Sequence, residues 1–129
     1  MIFIDASFLI AIFLAKDQWH RRSEKLAKNL ENKEKMTSDL VITEVMASIG
    51  GKVGGKASLL LFQYITDNYQ IYSTDMNSLK KSMNYFLKYD GRLSLVDTIS
   101  IKIMEEANIH EIASFDSDFD KVNGIVRIH

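Results

Sequence analysis

Short apolar runs alternate with longer segments of helical spacing along this chain, and that alternation predicts its architecture. Ile2–Asp5 is wholly apolar until an acid ends it, the pattern of a central parallel strand. Ser7 is placed to cap a first helix over Phe8–Ala15. A second helix is expected over Trp19–Asn32, with Trp19, Ser23, Leu26, Ala27 and Leu30 as its inward stripe. Lys35–Ser38 reads as a very short strand. Ser38 or Asp39 then caps a helix from Leu40 to about Ile49. Four of the six glycines fall within Gly50–Gly55 and are expected to break that helix, with a new one over Lys56–Asn68. Gln70–Ser73 alternates as a third strand, Asn77–Tyr89 is helical, and Asp90-Gly91 is a turn. Leu95–Ala107 is helical behind a Ser94 cap. Glu111–Phe115 is a fourth strand and Ile125–Ile128 a fifth at the edge. Strands alternating with helices predict an α/β fold with a parallel sheet and right-handed crossovers.

Composition narrows the class. A chain of 129 residues, 47% hydrophobic, is expected to form one globular domain over residues 1–129. No apolar run approaches the ~18–20 residues that span a bilayer. The start, Met-Ile-Phe-Ile-Asp, lacks the basic region of a signal peptide. The chain has no cysteine, so disulfides and thiolate metal sites are excluded. A cytoplasmic protein without membrane association is the expectation. The net charge of −1 neither supports nor excludes a nucleic-acid substrate, because segregated charge can serve either sign of partner.

Four acids stand where such a sheet would gather them. Asp5 closes the first strand, Glu44 lies early in the helix after the second, Asp97 opens a late helix, and Asp116 follows the fourth strand. In open α/β sheets, ligands bind outside the carboxyl ends of the strands. Carboxylates gathered there repel one another unless a cation lies between them, which points to a divalent metal. Each acid alone has a plainer reading. Asp5 could cap a helix, Ser94-x-x-Asp97 fits a capping box, Glu44 could face solvent, and Asp116, Asp118 and Asp120 could be turn residues. Gly50–Lys56 imitates a phosphate-binding loop, but it follows a helix and residue 57 is Ala, so no nucleotide site is expected there.

Taken together, Phe3-Ile4-Asp5-Ala6-Ser7, Thr43-Glu44, Leu93-Ser94-Leu95-Val96-Asp97, Ala113-Ser114-Phe115-Asp116-Ser117-Asp118-Phe119 and Gly124-Ile125 resemble, in order and spacing, the PIN-domain ribonucleases. The likeness is to the small toxins of VapC type from toxin–antitoxin pairs, and it covers essentially the whole chain. It implies a three-layer PIN-like fold with four or five parallel strands between helices. It implies that Asp5, Glu44 and Asp97 are metal-binding and catalytic acids, with Asp116 as the fourth and Asp118 able to substitute or assist. Ser7 and Ser114 would orient those acids. All-oxygen ligands suit Mg²⁺ or Mn²⁺ rather than Zn²⁺. Metal-activated water would then cleave RNA to a 5′-phosphate and a 3′-hydroxyl. Substrate phosphates would be gripped by Arg92, Lys52 and Lys56. The resemblance further implies a homodimer and a cognate antitoxin, with the apolar helices on either side of the glycine break as the dimer surface. One rival is a catalytically silent PIN-fold module that binds RNA or protein. Another is a receiver domain, disfavoured because Asp5 has no adjacent acid.

Overall fold

The computed structural model describes residues 1–129. Five parallel strands form one sheet: β1 (Ile2–Ile4), β2 (Lys35–Ser38), β3 (Gln70–Tyr72), β4 (Glu111–Ala113) and β5 (Val126–Ile128), in the order β3-β2-β1-β4-β5. Five helices flank it: α1 (Ala6–Phe13), α2 (His20–Asn29), α3 (Asp39–Asn68), α4 (Met76–Lys88) and α5 (Leu95–Glu106). The chain steps outward from β1 to β3, then returns to the other side of β1. Right-handed crossovers therefore put the two helical groups on opposite faces. One group packs α1 against α2 and α3, and the other packs α4 against α5.

Ile2, Phe3 and Ile4 of β1 are fully buried, as a central strand covered on both faces requires. Seven consecutive residues of α5, Thr98 to Met104, are buried, including the charged Lys102. The Lys102 ammonium reaches Glu106 one turn on at 2.7 Å, so its charge is paired at the edge of the core. Register aligns Phe3 with Ile112 and Ile4 with Ala113 on one side of β1, and Phe3 with Met36 on the other. The next residues in register are Asp5, Ser114 and Ser38, at the carboxyl ends of the three central strands. The strand order reverses between β1 and β4, so Asp5 and Ser114 stand at the switch point where α/β sheets open a crevice.

Several boundaries differ from the sequence pattern for local reasons. Helix α1 starts at Ala6 with Asp5 in the cap position, so Ser7 lies inside the helix rather than before it. Trp19 lies ahead of α2 rather than in its buried stripe. The glycine cluster does break the helix as expected, and α3 is two helical segments meeting at a kink. Gly50 and Gly51 stay helical, and the break is confined to Gly54, whose φ of 83° and ψ of 169° only glycine adopts readily. By length and composition α3 is the one helix apolar enough to cross a membrane, which no single run of the sequence suggested. The Gly54 kink divides it, and Val41, Ile42, Val45, Ile49 and Ile65 are buried in the protein interior.

Candidate active site

Asp5 ends the fully buried β1 and is itself only 4% exposed. Its backbone N–H is held by the carbonyl of Ala113 at 3.1 Å, continuing the β1–β4 ladder. Although it occupies the cap position of α1, its carboxylate makes no cap hydrogen bond. Two hydroxyls donate to its Oδ2 instead, Ser114 Oγ at 2.7 Å and Ser7 Oγ at 2.8 Å. The two hydroxyls also lie 3.1 Å from each other. Burial raises the pKa of Asp5, and the Ser114 and Ser7 bonds oppose that rise. The N–H groups of Ala6 and Ser7 add a weaker lowering without closing a cap. Oδ1 takes no part in the two hydroxyl bonds.

The same hydroxyls organise the loop after β4. The Phe115 N–H donates to Ser7 Oγ at 2.9 Å, and the Asp116 N–H donates to Ser114 Oγ at 3.0 Å. Asp116 in turn caps the short 3₁₀ turn Ser117–Lys121 by accepting from the Asp118 N–H at 2.9 Å. Arg127 of β5 braces this loop. Its guanidinium grips both oxygens of Asp120 at 2.9 Å and donates to the Ser114 carbonyl at 3.3 Å. The hydrogen bond to Asp120, and then the charges of Asp120 and Asp116, raise the Arg127 pKa. Sequence reasoning missed this residue. Its only local signal is a basic side chain between Val126 and Ile128 in the last strand.

The other acids arrive on separate helices. Ser94 caps α5 by accepting from the Asp97 N–H at 3.1 Å, so the capping pattern is real. The Asp97 carboxyl is nonetheless pushed up to about 7, first by burial and then by the charges of Asp5 and Asp116. Glu44 sits near the start of α3, exposed by surface area but close enough to the others to feel them. Partial desolvation, then the charges of Asp5 and Asp116, raise its pKa. Asp5, Glu44, Asp97 and Asp116 therefore share one electrostatic field, and no basic group is among the main influences on Asp97. Asp118 stands apart from that field. It pairs with Lys121 at 2.8 Å and is not among the charges acting on the other acids. Asp39, the first residue of α3, is also committed elsewhere, accepting from the Thr74 N–H and hydroxyl.

The donor chemistry of these four acids fits a hard divalent ion. Each supplies only oxygen, and three, Asp5, Glu44 and Asp97, carry raised pKa values that a neighbouring cation would oppose. No three acidic or histidine side chains close on a common point tightly enough to ligate an ion directly. Ligation of one ion by all four would require rotamer changes in the exposed members. Asp5 is the fixed member, held by its two serines.

The basic residues expected at the substrate fall in different places. Arg92 donates to the Tyr89 carbonyl and lines a cavity of about 210 Å³ with Lys88 and Lys121. Lys52 lines a cleft of about 730 Å³ with Lys16 and Asp17, and none of the four acids takes part in that cleft. Lys56 is exposed just past the kink and makes no ion pair. A further groove of about 820 Å³ also avoids the four acids. Phe8, Ile12, Phe13, Leu61, Tyr64 and Tyr69 are among its walls. Lys28, Glu31, Lys33, Glu34 and Lys35 share its lining, so its walls are part apolar and part charged.

Residues 2–125 match the family profile described as "PIN domain". Mycobacterium tuberculosis VapC20, described as a sarcin-ricin loop cleaving toxin, superposes with a TM-score of 0.87 at 23% identity, over 99% of this chain and 98% of that one. A toxin–antitoxin complex from Klebsiella pneumoniae matches with a TM-score of 0.74 at 16% identity, covering 98% of this chain and 96% of the other. VapBC2 from Rickettsia felis, bound to a DNA fragment from its promoter, matches at 0.73 and 9% identity, over 99% and 98% of the two chains. At these identities the structural likeness establishes a shared fold. No curated protein matches the sequence.

Proposed function

The chain belongs to the PIN-domain family, and on that premise we propose that it is a Mg²⁺- or Mn²⁺-dependent endoribonuclease, the toxin of a toxin–antitoxin pair. One observation carries the reading. Carboxylates from four separate elements act on one another at the sheet's switch point, without a basic group to balance Asp97. Such repulsion opposes folding above neutral pH unless a cation offsets it.

Asp5, Glu44, Asp97 and Asp116 would hold the metal, which when bound supplies Lewis acidity and a water activated near neutral pH. Ser7 and Ser114 fix the Asp5 carboxylate by donating to Oδ2, and these bonds oppose the rise in its pKa that burial causes. Ser114 also anchors Asp116 through its N–H, so one hydroxyl sets the spacing of two acids. Arg127 keeps the Asp116 loop against β4 and β5. The Lys88–Arg92–Lys121 cavity, one turn ahead of the Asp97 helix, is the best-placed grip for a substrate phosphate. Lys52 and Lys56 would attract RNA at longer range. Hydrolysis would leave a 5′-phosphate and a 3′-hydroxyl.

Similarity to VapC20 and to toxin–antitoxin complexes supports an antitoxin partner. The apolar groove at Phe8, Phe13 and Tyr64 suits an amphipathic antitoxin segment. Leu59, Leu60 and Phe62, each more than 40% exposed on the second half of α3, suit a homodimer contact. A chain without cysteine suits the reducing cytoplasm.

The test is cleavage of a mixed RNA pool with and without Mg²⁺ or Mn²⁺, comparing wild type with Asp97→Asn. Metal-dependent cutting that disappears in the variant is the expected result. No cutting by either protein, with no metal uptake in calorimetry, would favour a silent RNA- or protein-binding module.

A further inference from the structure

Trp19 is the only tryptophan in the chain, and the sequence pattern assigned it to a buried stripe. It lies instead in the α1–α2 loop, 42% exposed. Its indole stacks on the Phe115 ring, with centroids 5.3 Å apart and planes 6° from parallel. Phe8 packs on Phe115 as well, at 6.3 Å and 24°. The indole is thus the outermost ring of an aromatic stack that starts in α1. Phe115 separates Ser114 from Asp116, and its N–H is bonded to Ser7 Oγ. The stacking partner of the indole is therefore the residue between Ser114 and Asp116, and its main chain is bonded to Ser7.

Main-chain bonds hold the loop at this residue. The Trp19 N–H donates to Asp17 Oδ1 at 2.8 Å, and the Trp19 carbonyl accepts from the Ser23 N–H at 2.8 Å. His20, the next residue, reaches the Ala11 carbonyl through Nδ1 at 2.7 Å. An indole already stacked on Phe115 and 42% exposed loses little entropy when a flat partner covers its other side. Arg21, two residues on, is exposed and outside every ion pair. An exposed π-face with an unpaired cation close in sequence suits a base and its phosphate better than an apolar protein surface.

We propose that the exposed face of Trp19, backed by Phe115, is a stacking platform for an unpaired base of single-stranded RNA next to the scissile phosphate. This rests on the nuclease reading above. Stacking tolerates any base, so Trp19 positions the strand without choosing its sequence. It is a binding residue, and the chemistry stays with the acids.

The experiment uses full-length Asp97→Asn protein with Mg²⁺ and a short single-stranded RNA of mixed sequence. Emission from the sole tryptophan and anisotropy of a 3′-labelled copy of the RNA are read in parallel. The expected result is a saturable change in Trp19 emission that follows the anisotropy curve. In the same background Trp19→Ala weakens binding about tenfold, whereas Trp19→Phe, which keeps a π-face, stays within about threefold. With Asp97 restored, Trp19→Ala raises KM by a similar factor and leaves kcat within about twofold. Because Trp19→Ala could disturb the loop, the emission change and the Phe variant decide independently of it. Anisotropy that reports binding while Trp19 emission stays flat would overturn the proposal and leave the nuclease reading intact. So would unchanged RNA affinity in Trp19→Ala accompanied by lost antitoxin binding, which would assign the ring to protein docking. Absence of both RNA binding and RNA cleavage in the parent proteins would remove the nuclease reading, and this proposal with it.

Discussion

Ser114 and Asp5 stand side by side at the ends of adjacent strands, 109 positions apart in the chain, with the serine hydroxyl 2.7 Å from Oδ2 of the buried carboxylate. The same hydroxyl oxygen accepts from the Asp116 N–H. One small side chain thus ties the first acid of the chain to the last acid of the shared field.

Ser114→Ala is expected to cost about 1–3 kcal/mol in urea unfolding, because it leaves a buried carboxylate short of a donor. It also removes the strongest influence lowering the Asp5 pKa. The Asp5 carboxyl then protonates at higher pH, so the acid limb of kcat/KM should move upward. An unmoved acid limb would show that Asp5 ionisation does not govern cleavage. Ser114→Thr, which keeps the hydroxyl, should restore most of the profile.

Asp97 gives the metal-free protein a definite pH dependence. Its pKa in the fold is about 7, against 3.8 for an ordinary aspartate. The folded state therefore binds this proton more tightly than the unfolded chain. That contribution is fully present below pH ~4 and is lost as pH rises through ~7. In chelator, the wild type should melt lower at pH 8 than at pH 5, by an amount worth roughly 1–2 kcal/mol once solvent screening is allowed for. Asp97→Asn should flatten the difference, and saturating Mg²⁺ should remove most of it. A melting temperature that rises from pH 5 to pH 8 in chelator would contradict the crowded-carboxylate field.

Asp116 and Asp118 are two residues apart but differ in partners. Asp116 acts on Glu44 and Asp97, whereas Asp118 is taken by Lys121. Asp116→Asn is expected to reduce kcat by about 100-fold or more, as loss of a preorganised charge does at reacting centres. Asp118→Asn should remain within about threefold of wild type. The reverse order would make Asp118 the fourth acid.

The kink in α3 depends on one glycine. No heavy atom would meet a Cβ at Gly54, so Gly54→Ala tests backbone strain alone. Its φ of 83° with ψ of 169° should make the change cost about 1–3 kcal/mol. Gly51 is helical with equally open surroundings, so Gly51→Ala should stabilise by about 0.4–1 kcal/mol. Equal effects at the two positions in thermal melts would mean that the helix does not bend at Gly54.

The sequence by itself determined what depends on neighbours along the chain. The apolar run ending at Asp5, the Ser94 cap three residues before Asp97, and the Asp90-Gly91 turn with both residues at positive φ all follow from local sterics and hydrogen bonding. So does the alternation of strand and helix that gathers strand ends on one side of the sheet. The tertiary structure decided what depends on strand order. Ser7 looks like a helix cap in sequence, but β4 beside β1 brings Ser114 to Asp5 and makes both hydroxyls donors to one carboxylate. Trp19 reads as a buried helix residue until Phe115, which no local pattern links to it, takes its inner face. Arg127 reads as an edge-strand cation until β5, paired with β4, carries it to the Ser114 carbonyl. Each of these contacts joins residues about a hundred positions apart or lying on different strands. Periodicity and capping act over a few residues, and the side-chain environment at such contacts exists only once the sheet has closed around β1.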